Sequence, residues 1–221
     1  METFGRFFTA ATLLFLPQMG FSNEIGAAFI KGDGDPVVKK TEVSVFTDLV
    51  VNFGSSSEDA TSNITVVLQK TGNQKVSVYA EKNLQSYIEI KPENGILYLN
   101  IRKGKKLSPT SAITIYVDAS MLKSISGKGN LRLASSGPLA IDTLSINFDG
   151  ILNGSLEVDV KQLSVNISGV YEFGVSGKAT KASLKTSGIG TLDHSLLVAN
   201  KLEAKINSIS KKDFHSLVAQ R

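Results

Sequence analysis

The run Asp193-His194-Ser195 sets side by side the three residue types of a hydrolase triad, a place where nucleophilic chemistry would be sought first. On a strand, neighbouring side chains point to opposite faces, so Asp193 and Ser195 would share one face while His194 turned away. A serine–histidine–aspartate relay cannot form within such a run, and the three residues read as surface coil. The other histidine, His215, follows Lys211-Lys212-Asp213 and reads as solvated. With two histidines and no cysteine in 221 residues, thiol nucleophiles, thiolate or imidazole-rich metal sites and disulfides are excluded. The expectation is a chain without catalytic residues, metal ligands or cofactor.

Further patterns each carry a chemical and a structural reading. Gly32-Asp33-Gly34-Asp35 is similar to calcium-binding nonapeptide repeats, but one copy cannot supply the roughly six to eight oxygens of a calcium site, and the segment reads as a flexible leader. Ser126-Gly127-Lys128-Gly129 and Ser187-Gly188-Ile189-Gly190 hold part of a phosphate-loop pattern without the helix whose amides would bind the anion, so both read as backbone corners. Asp142, Glu157 and Asp159 could supply the carboxylate pair of a glycosidase or lyase. The aligned repeats put Thr or Lys at neighbouring levels, and no acidic cleft is written into the chain. Arg102-Lys103-Gly104-Lys105-Lys106 places four cations in five residues between two strands. Such a run is either a solvated loop or a contact for phosphate, an acidic polysaccharide or an anionic lipid headgroup. Arg102, Lys103, Lys105 and Lys106 are therefore the candidate anion or glycan contacts.

The elements that must position these residues are strands. At 42% hydrophobic and 20% charged the chain can bury a core, and its net charge of +4 lacks the clustering of a nucleic-acid footprint. Met1 to Arg6 precedes an uncharged apolar run interrupted by Pro17, with fifteen residues from Phe7 to Phe21. That is a signal-peptide pattern, too short for the roughly 20 apolar residues of a membrane span. Cleavage is expected after Ser22, with the positions after Ala27 or Ala28 as alternatives. No Cys follows the run, so a periplasmic or secreted product that is not a lipoprotein is expected. From Val43 onward, alternating β-branched runs recur at Val43-Ser44-Val45-Phe46, Ile64 to Leu68, Val76 to Tyr79, Tyr87 to Ile90, Ile96 to Ile101 and Ile113 to Val117. Thr71-Gly72-Asn73 and Pro92-Glu93-Asn94-Gly95 join pairs of these runs as hairpin turns would, which predicts an antiparallel meander over residues 37–118.

The second half repeats. Leu144-Ser145-Ile146-Asn147-Phe148-Asp149-Gly150 aligns with Leu163-Ser164-Val165-Asn166-Ile167-Ser168-Gly169, then with Ala182-Ser183-Leu184-Lys185-Thr186-Ser187-Gly188 and Leu202-Glu203-Ala204-Lys205-Ile206-Asn207-Ser208. The steps are 19, 19 and 20 residues, and each unit holds a second apolar run about half a period away. A fixed period of this size is a solenoid signature. No leucine-rich-repeat pattern is present, and nothing in the unit would form that repeat's helix. Two strand runs per period fit one turn of a parallel β-helix whose turns stack at roughly 4.8 Å. The recurring Ser-Gly then serves the bends.

Taken in order, Gly32-Asp33-Gly34-Asp35-Pro36-Val37-Val38, Lys75 to Leu84, Asn94-Gly95-Ile96-Leu97-Tyr98-Leu99 and the serial Ser-Gly pairs at 126, 136, 168, 176 and 187 resemble the family called putative auto-transporter adhesin, or head GIN domain. The resemblance spans nearly all of residues 32–210. It implies a mostly parallel β-helical fold and a location in or outside the cell envelope, and it carries over no catalytic residue. The chain departs from the pattern at Asp149-Gly150 and Asn207-Ser208. The expected organisation is a signal peptide over 1–22, a flexible leader over 23–36, a β-rich part over 37–118, a β-solenoid over 119–210 and a tail over 211–221 that covers or ends the last coil. The two β parts share one core. The expected function is a non-catalytic, adhesin-like envelope module that binds a cell-surface glycan or an envelope protein, not nucleic acid. The alternatives are a carbohydrate-active enzyme on the same scaffold, or a structural module that oligomerises through exposed strand edges.

Overall fold

The computed structural model of the chain describes residues 28–54 and 64–209. The expected signal peptide and the charged tail lie outside the described residues. Alternation of buried and exposed side chains produces twelve strands: β1 (Ala28–Lys31), β2 (Pro36–Glu42), β3 (Asp48–Asn52), β4 (Ile64–Gln69), β5 (Lys75–Glu81), β6 (Ile88–Glu93), β7 (Ile96–Ile101), β8 (Lys105–Ser108), β9 (Ile113–Asp118), β10 (Ser124–Ser135), β11 (Leu139–Asp193) and β12 (Leu197–Ile209). The described residues contain no α-helix, only a 3-10 turn over Gln85–Tyr87. The protein is all-β, as its period-two patterning requires. Among the described residues no helix is long and apolar enough to cross a membrane.

Parallel pairing dominates. β10 pairs β11 in parallel, with Ser124 beside Ser145 and Ile125 beside Ile146. β11 pairs β12 in parallel, with Ala182 beside Leu202 and Leu184 beside Ala204. Inside the long β11, residues one repeat apart touch: Ser168 donates to Asp149 at 2.9 Å and Asn166 to Asn147 at 3.4 Å. The 19-residue rhythm is therefore a stacking of like segments. The sheet curls because β10 has two different neighbours along its length: its residues 124–128 pair β3, and its residues 132–135 pair β4. The bend falls between them, at Gly129 with φ +95°.

The meander expected over residues 37–118 is not what forms. β3 pairs β7 in parallel and β4 pairs β9 in parallel, while β2–β5, β5–β9 and β6–β7 are antiparallel. The Pro92-to-Gly95 hairpin is present between β6 and β7. The turn after β4 closes no hairpin, because β9 lies between β4 and β5. Its physical anchor is Asp118 at the end of β9, whose carboxylate accepts the backbone amides of Thr71, Asn73 and Gln74. Val43-Ser44-Val45-Phe46, expected as strand, is an extended link: Val43 and Phe46 are buried, Val45 is exposed, and β2 has already ended at Glu42.

The expected leader is strand and bonded turn from Ala28 onward. β1 pairs β8, Gly32 N donates to Ser108 O at 3.0 Å, and Gly34 N donates to Glu81 Oε1 at 2.8 Å. One apolar cluster runs from Val43 to Leu197 across the 118/119 boundary, so both β parts share a single core.

Candidate functional site

Close stacking of like segments dictates glycine at one corner. A Cβ on Gly169 would sit 2.2 Å from the carbonyl oxygen of Gly150, and one on Gly188 would sit 2.1 Å from that of Gly169. Both residues also have positive φ, +108° and +116°, which L side chains avoid. The corners expected at Ser126 to Gly129 and Ser187 to Gly190 are thus set by backbone proximity.

Between the corners, the outward side chains of successive segments line up in rows across the sheet. The row just before the glycine corner runs Glu89, Asn100, Asn52, Lys128, Asp149, Ser168, Ser187, Asn207, from β6 to β12. Asn52 donates to Asn100 at 3.2 Å along the same row. Eight stacked segments, three of them within β11, at about 4.8 Å spacing give a contour of about 34 Å of amide, hydroxyl and charged groups.

A shallow groove of about 330 Å³ marks the β12 end of this face, lined by Thr143, Gln162, Ser164, Lys181, Ser183, Lys201 and Glu203 above a floor that includes buried Leu163 and Ala182. It follows a second kind of corner, without glycine. There the inward alternation changes phase between Val160 and Leu163 and between Ala179 and Ala182, leaving two exposed residues in succession each time. These groove residues were missed in the sequence. The signal that finds them is the doubled polar pair at one repeat spacing: Lys161-Gln162, Thr180-Lys181, Asn200-Lys201.

The basic run sits at the opposite end of the face. Arg102 N donates to Tyr87 O at 2.9 Å and Lys105 N to Arg102 O at 3.1 Å, a tight turn that needs Gly104 at φ +73°. The Arg102 guanidinium lies 5.5 Å from the Tyr87 ring centroid, and its Nε is 3.5 Å from Glu89 Oε1. Lys105 and Lys106 fall on β8, beside Ala28 and Phe29 of β1. Lys106 Nζ lies 5.4 Å from the ring centroid of Phe29, which is 71% exposed. Lys103 is exposed at the tip. Thus the structure sets Arg102 over Tyr87 and Lys106 over Phe29, and the second pairing was hidden in the sequence because Phe29 lies in the segment read as leader. Cations over aromatic faces present charge and a flat apolar surface together.

Residues 59–217 match the model of the family described as Putative auto-transporter adhesin, head GIN domain. The chain belongs to that family. Among solved structures, a putative adhesin from Bacteroides fragilis NCTC 9343 is similar at a TM-score of 0.71 and 23% identity, covering 82% of this chain and 80% of that one. A putative lipid binding protein from Parabacteroides distasonis ATCC 8503 gives 0.60 and 21%, with 83% of each chain covered. A putative adhesin from Parabacteroides merdae ATCC 43184 gives 0.54 and 17%, with 82% of each covered. These likenesses concern the fold. No curated protein matches the chain.

In this head GIN domain the triad types of residues 193–195 make a turn. Ser195 N donates to Asp193 Oδ1 at 3.0 Å and His194 Nδ1 lies 3.4 Å from Leu192 O, so the aspartate caps the backbone and no relay joins the three. The Ser195 amide and hydroxyl hold the Asp193 carboxyl below its usual range. Asp142 pairs with Lys161 at 2.8 Å, and the lysine lowers its carboxyl. Glu157 and Asp159 lie exposed on one run of β11.

Among the described residues two carboxylates, Glu81 and Asp118, are fully inside, and both hold the backbone together. Glu81 accepts from the Gly34 and Thr110 amides and from the Thr110 hydroxyl. That hydroxyl, with the amides, keeps it ionised against the cost of burial. It ties the segment after β1 to the link before β9. Burial alone would raise Asp118, but the Ser120 hydroxyl and amide, the Thr71 hydroxyl and the Gln74 amide bring it down to about 2.

Proposed function

We propose that the chain is a non-catalytic, exported cell-envelope module, not lipid-anchored, that binds an anionic glycan along its outward polar face. In this reading the stacked parallel segments wind as coils of a β-helix, with 19–20 residues per coil in the second half. The observation that carries the binding reading is the eight-segment polar row, bordered at one end by the loop of Arg102, Lys103, Lys105 and Lys106, in which Arg102 lies over Tyr87 and Lys106 over Phe29. A regular row of donors and acceptors suits a polymer with its own repeat. The aromatic faces suit stacking against a sugar ring, and the lysines suit carboxylate or sulfate substituents. The family's adhesin description supports a binding role over a catalytic one.

Glycan-array binding by the chain from residue 23 onward tests this, comparing acidic glycans with neutral ones of the same backbone. Acidic glycans should be preferred. The combined Lys103→Ala, Lys105→Ala and Lys106→Ala substitutions should weaken them about tenfold, the sum of a few exposed charge contacts. Unchanged affinity in that variant removes the basic loop as the contact, and absence of glycan binding by the parent chain removes the reading.

A further inference from the structure

β12 ends the stack. Its one strand neighbour is β11, so among the described residues its other edge has no backbone partner. One step inward, Ala182 and Thr186 are 4% and 3% exposed, while their register partners Leu202 and Ile206 are 42% and 39% exposed. The inward column of the core is thus left open at its last member. The outward positions of the same run alternate in sign: Lys201, Glu203, Lys205. Lys201 Nζ lies 2.9 Å from Glu203 Oε1, whereas Lys205 has no ion-pair partner among the described residues.

From this edge we infer that the chain forms a two-fold homodimer by antiparallel pairing of β12 with β12 of a second copy, centred on Ala204. That register sets Ala204 against its own counterpart, Leu202 against Ile206 and Glu203 against Lys205, each pair occurring twice. Apolar residues meet on the core side and opposite charges meet on the solvent side, as stable cross-strand pairs require. A register centred on Glu203 would oppose Glu203 to itself and Lys201 to Lys205, which is repulsive. One centred on Leu202 would run through the corner near Asn200, where the inward phase changes from Ala199 to Leu202. Only the Ala204 register keeps residues 201–207, one straight run, fully paired. The interface is isologous, so it closes at two copies and does not grow into a fibre. The matched apolar and charged pairs assign this edge to a second copy.

The chain has no cysteine, so a single introduced thiol reports this geometry without background. Ala204→Cys in the chain from residue 23 onward should give a covalent dimer on mild oxidation, because self-paired positions bring Cα atoms to about 5 Å, inside disulfide reach. Val198→Cys, off the two-fold, should not. Sedimentation equilibrium should show that Lys205→Glu weakens the dimer about tenfold, since two attractive pairs become repulsive. The swap Glu203→Lys with Lys205→Glu should restore it, with circular dichroism confirming the fold of each variant. The proposal is overturned by a monomer at about 100 µM with no Ala204→Cys cross-link, by equal cross-linking at 198 and 204, or by a double swap as weak as Lys205→Glu alone. A parent chain that dimerises only after residues 210–221 are removed also overturns it, by assigning the edge to the tail.

Discussion

Replacing Asp118 by Asn should cost about 3 to 4 kcal/mol at neutral pH, and the loss should shrink in acid. Asp118 is 1% exposed and ends β9. One of its oxygens accepts from the Thr71 amide at 3.3 Å, the Ser120 amide at 2.9 Å and the Ser120 hydroxyl at 2.5 Å. The other accepts from the Thr71 hydroxyl at 2.9 Å and the amides of Asn73 at 2.5 Å and Gln74 at 3.0 Å. Whichever way a carboxamide turns, its NH2 meets three donors, at least one of them a backbone amide that cannot turn away; stranded buried donors cost about 1 to 3 kcal/mol each. The pH dependence follows from the same contacts. The carboxyl falls from 3.8 to about 2 on folding, which is worth at most about 2.5 kcal/mol. A group depressed on folding stabilises fully above its unfolded value and loses that stabilisation as pH falls through the folded one. Wild type should therefore lose about 2 kcal/mol from this site between pH 5 and pH 2, while Asp118→Asn loses nothing there. Urea unfolding followed by far-ultraviolet circular dichroism at pH 7, 5, 3 and 2 gives the difference directly; the chain has no tryptophan to report instead. A gap between the two proteins that stays constant from pH 7 to pH 2 refutes this account of the corner.

Gly169→Ala should destabilise more than Gly137→Ala although both have positive φ, +108° and +118°. At 137 the new Cβ meets nothing within 4 Å and only backbone strain of about 1 to 2 kcal/mol remains, whereas at 169 it strikes the Gly150 carbonyl at 2.2 Å. Equal losses in thermal melts would show that the column is not close-packed. Thr186→Val should stabilise by about 1 kcal/mol, because the buried Thr186 hydroxyl has no hydrogen-bond partner among the described residues and valine keeps its shape. A lower melting temperature would mean the hydroxyl is satisfied.

How much of this was legible depends on what each signal measures. Period-two alternation reports which face of a strand is buried, so all-β structure and the stacked residues 144–188 could be read directly. Pairing direction is a different matter. Ile64 to Leu68 looks the same whether its neighbour runs parallel or antiparallel, and the fragment Thr71-Gly72-Asn73 reads as a hairpin turn. Its actual role depends on Asp118, 44 residues beyond Gln74. The Asp48, Glu81 and Asp118 anchors were invisible for the same reason: a lone carboxylate reveals its donors only when the fold delivers them. Asp48 illustrates the point, its carboxyl lowered first by the Ser124 hydroxyl, 76 positions away, and then by adjacent Thr47. Phe29 escaped notice because Gly32-Asp33-Gly34-Asp35 reads as flexible sequence. In the structure its Asp33 and Gly34 amides are fixed by Asn83 and Glu81.

The position of the basic run follows from the stacking itself. β10 passes from the β3 side of the sheet to the β4 side through Gly129 alone, and Gly150, Gly169 and Gly188 repeat that corner in later segments. One earlier segment makes the same passage by an excursion: β7 reaches β9 through residues 102–112, which include the cations and β8. The basic loop is therefore an insertion at a corner that elsewhere takes one glycine. An excursion there disturbs neither the buried runs of β7 and β9 nor the outward row, because both are fixed by their neighbours on the ladder. That is where a rigid scaffold tolerates variable chemistry, and it bears on why the period is hidden in the first half: a long insertion at a corner breaks the 19-residue spacing while leaving the stacking intact. Changes to residues 102–106 should accordingly alter binding without altering the register of β7 on β3, whereas changes to Gly169 should do the reverse.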